Sequence, residues 1–273
     1  MYIIDCGISE SARTRINAQT RPNLHIHWRP STLSKEIGDH SWGHVSGATY
    51  ERLLIDEYLP DETAVALWLD CDLLVVDDIT TLFQRQFNGH TIQAVKDPFV
   101  PYVCSPFGVH NWRELGLKNN TPYFNAGVML IDMDRWRATE VASRSLQHIQ
   151  RYGKKVFFYD QEALNAVIGD NWIALDDRWN CSNNPFHAKK QNPRNNQPAI
   201  IHFAGRIKPW DVPDLGAEQD LYFHYLDKTC WRGARPDRSV KNLIVSRYVR
   251  SDLRYLTYWL ENQHLRLRHF LGT

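Results

Sequence analysis

The sequence predicts an α/β layered fold, and three observations carry that reading. Strand-length apolar runs alternate with helix-length stretches through most of the chain, the pattern of helices layered on a sheet. Residues 64–69 and 199–203 are short and continuously apolar, as expected of strands buried on both faces. Polar residues follow directly after these runs, where an open parallel sheet collects ligands beyond the carboxyl ends of its strands. A chain of 273 residues is long enough to bury a full core in one large domain.

Taken in order, Tyr2, Ile3 and Ile4 read as a strand that ends at Gly7, followed by a helix over 10–19 capped by Ser9. Residues 24–28 alternate and read as a second strand. Past a loop with Gly38 and Gly43, Tyr50, Leu53, Leu54 and Tyr58 recur at the helical period, which predicts a helix over 48–58. The strand over 64–69 runs straight into Asp70, Cys71 and Asp72. A short helix over 79–87 and a strand over 91–95 follow, the strand ending in Lys96, Asp97 and Pro98. Residues 99–122 read as a loop-rich insertion suited to covering an active site. Phe124, Asn125, Ala126 and Gly127 open a strand through Ile131, and one helix is expected from Asp132 to about Tyr152. Asp160 falls where the N-cap of a helix belongs, with Leu164, Val167 and Ile168 on its buried stripe. Strands over 172–175 and 199–203 close the pattern, separated by a polar loop at 176–180.

Composition narrows the class. An apolar content of 43% and a charged content of 23% are those of an ordinary soluble globular protein. The opening residues lack the basic start and apolar stretch of a signal peptide, and no segment approaches the roughly 18 apolar residues of a membrane span. Five cysteines, an odd number without a Cys-x-x-Cys pair, fit neither a zinc ribbon nor a disulfide framework and read as a reducing cytoplasm.

The chemistry gathers at two strand ends. If the strand continues, Asp70 and Asp72 point the same way and Cys71 points back. Two hard oxygen donors there suit Mg²⁺ or Mn²⁺, and His202 at the end of another strand extends the set toward Mn²⁺. Gly205 would let backbone approach an anion, and Lys208 would meet a diphosphate with a compact charge. A metal and a cation are what a leaving diphosphate needs as its bond to carbon breaks. The plain alternatives are two solvated acids, a core histidine and a simple glycine turn.

The segments 48–52, 67–75, 123–131, 159–165 and 201–210 resemble, in order and separation, those of glycosyltransferase family 8, the retaining nucleotide-sugar transferases. The resemblance covers about 1–230 and implies a Rossmann-like nucleotide-diphospho-sugar transferase fold of GT-A type, with a mostly parallel central sheet and a catalytic domain over 1–230. It implies a UDP-hexose donor, a saccharide or glycolipid acceptor, and Mn²⁺ (or Mg²⁺) held by Asp70, Asp72 and His202. Gly205 and Lys208 then match the diphosphate contacts. Arg52, Asp97, Asn125, Asp160 and Gln161 match the groups lining the donor sugar, with Gln161 nearest the reacting carbon. The segment at 2–10 resembles the family's second strand, so an expected first strand and helix with part of the base pocket are not found before it; a catalytically impaired relative is the alternative. A phosphohydrolase of the haloacid dehalogenase type also opens with strand-Asp-x-Asp, but Leu74 stands where that pattern has Thr or Val.

Residues 231–273 are electrostatically separate, with nine Lys or Arg against three Asp or Glu, whereas the whole chain has 32 against 31. Residues 239–270 lack Pro and Gly and predict one or two basic amphipathic helices. A packing helix is the plain reading. Among functional readings, a peripheral position on an anionic membrane surface, the inner face of the plasma membrane, fits basic residues mixed with aromatics. Nucleic acid does not fit, since the rest of the chain is acidic and carries no binding module.

Overall fold

The computed structural model describes residues 1–34, 47–153, 156, 158–182, 197–205 and 207–250, with the Arg250 side chain left out. The chain divides into two compact units, one formed by Met1–Asp70 and Asp78–Trp179, the other by Cys71–Asp77 and Asn180–Thr273.

The first unit opens with β1 (Tyr2–Asp5) paired in parallel with β2 (His27–Pro30). Helix α1 (Glu10–Asn17) lies between them in sequence, and Ser9 caps it by accepting from the Ala12 N–H, as expected. The second strand falls three residues later than the alternation at 24–28 suggests.

Its main sheet has four strands, β3 (Val65–Leu69), β6 (Phe124–Asp132), β5 (Ile92–Lys96) and β7 (Trp172–Ala174), in that spatial order. β6 is antiparallel to both neighbours and β7 is parallel to β5, so three strands share a direction and β6 alone is reversed. The expected mostly parallel sheet is therefore mixed around its central strand. β6 explains why: seven of its nine residues are buried, all but Asn125 and Asp132, and it is flanked on both sides. A strand with ladders on both edges and apolar faces covered is the natural centre. Leu130, paired with Leu67 and Gln93 and fully buried, should cost about 2–5 kcal/mol on truncation to Ala, read as a lower urea midpoint at unchanged slope.

β3 is less buried than its apolar run suggests. Only Ala66 is buried, and among the described residues β6 is its one ladder neighbour. The region read as a helix over 48–58 is a 3-10 helix (Gly47–Leu54) that passes into the short α2 (Ile55–Tyr58). The helix expected from 132 to 152 is two, α3 (Met133–Ala138) and α4 (Val141–Tyr152), broken where Glu140 takes φ 52°. Residues 79–84 are 3-10 (Ile79–Gln84), and 99–122 hold only turns and one bridge between Tyr102 and Pro122. Helix α5 (Tyr159–Ile168) packs on α4, and both close over the core built on Phe124, Met129, Ile131, Trp136 and Leu164.

The second unit holds a three-stranded sheet in the order β4 (Leu73–Val75), β9 (Ile200–His202), β8 (Cys181–Ser182), with β9 antiparallel to β4 and parallel to β8. Helices α6 (Ala217–Leu226) and α7 (Val240–Arg250) follow. The rest of the tail expected to be helical, with Arg254, Arg266 and Arg268, lies outside the described residues, as do Gly38, Gly43, Arg206 and residues 183–196.

Candidate active site

The two acids of the Asp-x-Asp do not sit in one strand. β3 ends at Leu69, β4 begins at Leu73, and residues 70–72 form the turn between them. Each acid extends a different ladder: the Asp70 N–H donates to the Gly127 carbonyl at 2.9 Å, and the Asp72 carbonyl accepts from the Phe203 N–H at 3.0 Å. Alternation along one strand is therefore not what orients the two side chains, because the strand stops before the motif.

In the first unit, Arg52 organises one polar network. Its Nη2 reaches both carboxylate oxygens of Asp70, at 3.0 and 3.2 Å, and its guanidinium lies 5.7 Å from the centre of the Trp68 ring. Trp68 Nε1 donates to Asp70 Oδ1 at 2.8 Å. On its other side, Arg52 Nε stands 2.8 Å from Asp160 Oδ2, while its N–H is directed to the Thr49 carbonyl at 3.3 Å. Charge rather than a directed hydrogen bond holds that pair. The Thr49 hydroxyl donates to Asp160 Oδ1 at 2.5 Å. The 3-10 helix matters here: with three residues per turn, Thr49 and Arg52 stack on one face, and both can meet Asp160.

Asp160 is not the cap of α5. That position is Phe158, with no side-chain cap, and Asp160 is buried inside the first turn. Burial pushes its carboxyl above the usual range, against the opposing pull of Arg52 and Thr49. Its side chain goes to the 3-10 helix because a buried carboxylate needs a cation more than an exposed helix end needs an acceptor.

Asp97, Asn125 and Gln161 form a second network. Asp97 Oδ1 accepts from the Phe99 and Val100 N–H groups, each at 2.8 Å, which fixes the carboxylate at the start of the turn-rich segment. Its Oδ2 accepts from Asn125 Nδ2 and Gln161 Nε2, each at 3.0 Å. The other ends are held as well: Gln161 Oε1 accepts from the Ala126 N–H and Asn125 Oδ1 from the Gly127 N–H, both at 3.0 Å. Both amides are thereby locked in orientation by an acceptor on one side and a backbone donor on the other. Asn165 fastens α5 to β6 by bonding Phe124 N–H and carbonyl at 2.9 and 3.0 Å, and so sets where Gln161 stands.

In the second unit, Asp72, His202 and Lys208 meet. Lys208 Nζ donates to Asp72 Oδ2 at 2.5 Å and to the Phe203 carbonyl at 2.8 Å. His202 Nε2 stands 3.3 Å from Asp72 Oδ1, and its Nδ1 pairs with Asn180 Oδ1 at 2.9 Å. Burial would raise the Asp72 carboxyl, but His202 and Lys208 outweigh it and hold the group far below the usual carboxylate range. Gly205 turns the chain between β9 and Lys208 at φ +102°, a conformation that itself calls for glycine, and a Cβ there would meet nothing within 4 Å.

Reasoning from sequence passed over Thr49, Trp68, Asn165 and Asn180 as individual contributors. Thr49 had a signal, lying three residues before Arg52; the partner of His202, 22 residues away, had none.

The model of the family described as "Glycosyl transferase family 8" matches residues 1–212. Among curated relatives, general stress protein A of Bacillus subtilis is 29% identical over 247 residues, covering 85% of this chain and 83% of its own. Glycosyltransferase GlyF of Streptococcus pneumoniae is 28% identical over 188 residues, 67% of this chain and 43% of its own length. Among solved structures, the galactosyltransferase LgtC in complex with donor and acceptor sugar analogs superposes with a TM-score of 0.70 at 25% identity, covering 85% of this chain and 88% of that one. Glycosyltransferase GlyE of Streptococcus pneumoniae, at 22% identity and a TM-score of 0.57, shares the fold. With a match that takes in both strand ends and every side chain described above, the chain belongs to glycosyl transferase family 8.

Proposed function

We propose that this glycosyltransferase moves a hexose from UDP-hexose to a hydroxyl of a saccharide or glycolipid, with retention at the anomeric carbon and with Mn²⁺ or Mg²⁺ bound. The observation that carries the reading is Asp72, a carboxylate shared by an imidazole and an ammonium. The donor set fits a divalent ion. Asn180 Oδ1 can only accept, so His202 Nδ1 carries a hydrogen and Nε2 is the ring nitrogen turned toward Asp72, 3.3 Å from its Oδ1. A carboxylate oxygen and an imidazole nitrogen so placed can share a proton or offer a divalent cation two of its ligands. Asp70, Asp72 and His202 are the proposed ligands, and an ion bound there would neutralise charge growing on the departing diphosphate.

The other roles follow the chemistry of each group. Lys208 meets the diphosphate, and Gly205 leaves room for backbone to approach it. Arg52, Asp97, Asn125 and Asp160 line the donor sugar. Gln161 stands nearest the reacting carbon, but its amide oxygen already accepts from Ala126, and an amide is a poor nucleophile. That supports same-face displacement, with the leaving phosphate taking the proton of the incoming hydroxyl, over a covalent intermediate. Residues 1–230 are proposed as the catalytic domain.

Titration calorimetry tests the donor reading. UDP should bind when Mn²⁺ is present and lose measurable affinity in chelator; equal binding with and without the metal would overturn it. Lys208→Ala should cut turnover by about 10²–10³-fold, the range of one charge-stabilising contact, with a smaller change in KM. Unchanged turnover would remove Lys208 from the diphosphate.

The tail is proposed as a membrane-facing element. α7 exposes Val240 (74%) and Ile244 (63%) beside Lys241 and Arg247, while among the described residues no helix is long and apolar enough to cross a membrane. Binding to vesicles should require anionic lipid and fade at high salt, each basic residue contributing about 1 kcal/mol near the surface. Equal sedimentation with neutral vesicles, or none with either, would leave α7 as a packing helix.

A further inference from the structure

The first unit holds a second cluster of metal-ligating side chains, used by none of the roles above. Glu162, fully buried, follows Gln161 on α5. Its Oε1 accepts from the His110 backbone N–H at 3.1 Å and stands 2.9 Å from His110 Nδ1. From α4 comes His148, only 6% exposed, whose Nε2 is buried with no hydrogen-bond partner. The ligand atoms of the three residues all lie within 4.8 Å of one another. Tyr152 packs against both imidazoles, with ring centres 4.9 and 5.1 Å away, which limits how far either ring can turn.

A plain reading makes Glu162 and His110 an ion pair and His148 a packing residue. That reading leaves the His148 nitrogen orphaned beside a buried carboxylate, and buried polar atoms are rarely left so. Two imidazoles and one carboxylate are a familiar donor set for a tetrahedral transition metal, with water as fourth ligand. Metal–ligand bonds of about 2.0–2.2 Å place such donors about 3.4 Å apart, so closing the cluster asks only for side-chain adjustment.

We propose that His110, His148 and Glu162 bind one Zn²⁺ ion, which pins the turn-rich segment over 99–122 to helices α4 and α5. The ion would replace the His110–Glu162 hydrogen bond with bonds from both, and give His148 Nε2 its missing partner. Because Glu162 adjoins Gln161, the same ion would stiffen the start of α5. Hard Mg²⁺ would be a poor occupant, since it prefers oxygen donors.

The test uses the full chain stripped by chelator and titrated with Co²⁺, an optical probe for Zn²⁺ sites, then with Zn²⁺ in competition. Wild type and Asp72→Asn should both take up one Co²⁺ with the visible absorption of a tetrahedral site, displaced by one equivalent of Zn²⁺. Zn²⁺ should raise Tm in both, and in Asp72→Asn, where the other metal site is disabled, Mg²⁺ should not. His148→Phe, which keeps an aromatic ring in the buried position, and His110→Gln should each weaken binding by about 100-fold or more, beyond the 10–100-fold typical of losing an outer partner. If His148→Phe does not fold by circular dichroism, His110→Gln decides. No tetrahedral absorption in wild type, absorption lost in Asp72→Asn, or absorption kept in the folded histidine variants would each overturn the proposal.

Discussion

Replacing Arg52 by Ala should lower stability by about 3–5 kcal/mol at neutral pH, the usual cost of removing one partner from a buried ion pair. Asp160 is the cause. It is buried, its carboxyl is already pushed above the usual range by desolvation, and Arg52 is the nearest opposing charge. Without Arg52 the folded-state pKa rises further, so the variant binds a proton on folding over a wider range of pH. The sign follows: the loss is fully present above that raised pKa and shrinks as pH falls through it, because protonated Asp160 no longer needs a cation. Urea midpoints at pH 8 and pH 5 should therefore show a larger gap from wild type at pH 8. Asp160→Asn in the Arg52→Ala background should restore much of the loss. A gap independent of pH, with no rescue by Asn, would mean that Arg52 acts through Asp70 or by packing on Trp68.

Asp72→Asn should reduce transfer by about 10³-fold. It keeps the shape of the side chain and removes the charge that His202 and Lys208 share. Metal-ion charge stabilisation is worth several kcal/mol of barrier, and about 4 kcal/mol corresponds to that factor. Stability should fall as well. The Asp72 carboxyl is held below its unfolded value, so its contribution is present above about pH 4 and disappears as pH drops through the folded value. Wild type and variant should differ in urea midpoint at pH 7 and converge in acid. Turnover within a factor of two of wild type would sink the assigned role, whatever the stability shows.

The sequence made the order of elements legible because apolar periodicity and capping act locally. Ser9 caps α1, and the buried strands β6 and β9 lie where continuous apolar runs place them. It failed where two local structures share one pattern. Tyr50 and Leu53 are three apart, which suits a 3-10 turn as well as an α turn, and only packing decides between them. The break at Glu140 had no signal either, since glutamate seldom adopts positive φ and is held there by its surroundings. The candidate residues themselves were legible as types and positions, but their partnerships were not. Thr49 and Asp160 are 111 residues apart, and Lys208 and Asp72 are 136 apart. Spacing along a chain carries no information about such pairs, and the fold alone brings them into contact.

The central claim is a retaining transfer from UDP-hexose, and proton NMR of the enzyme with UDP-galactose or UDP-glucose and Mn²⁺ tests it directly. Donor hydrolysis, slow in the absence of acceptor, should release UDP and free sugar whose first-formed anomer is α, like the donor, before mutarotation mixes the two. Release should stop in chelator. A first-formed β anomer would contradict retention, and no release together with no binding of UDP would contradict the assignment of this donor.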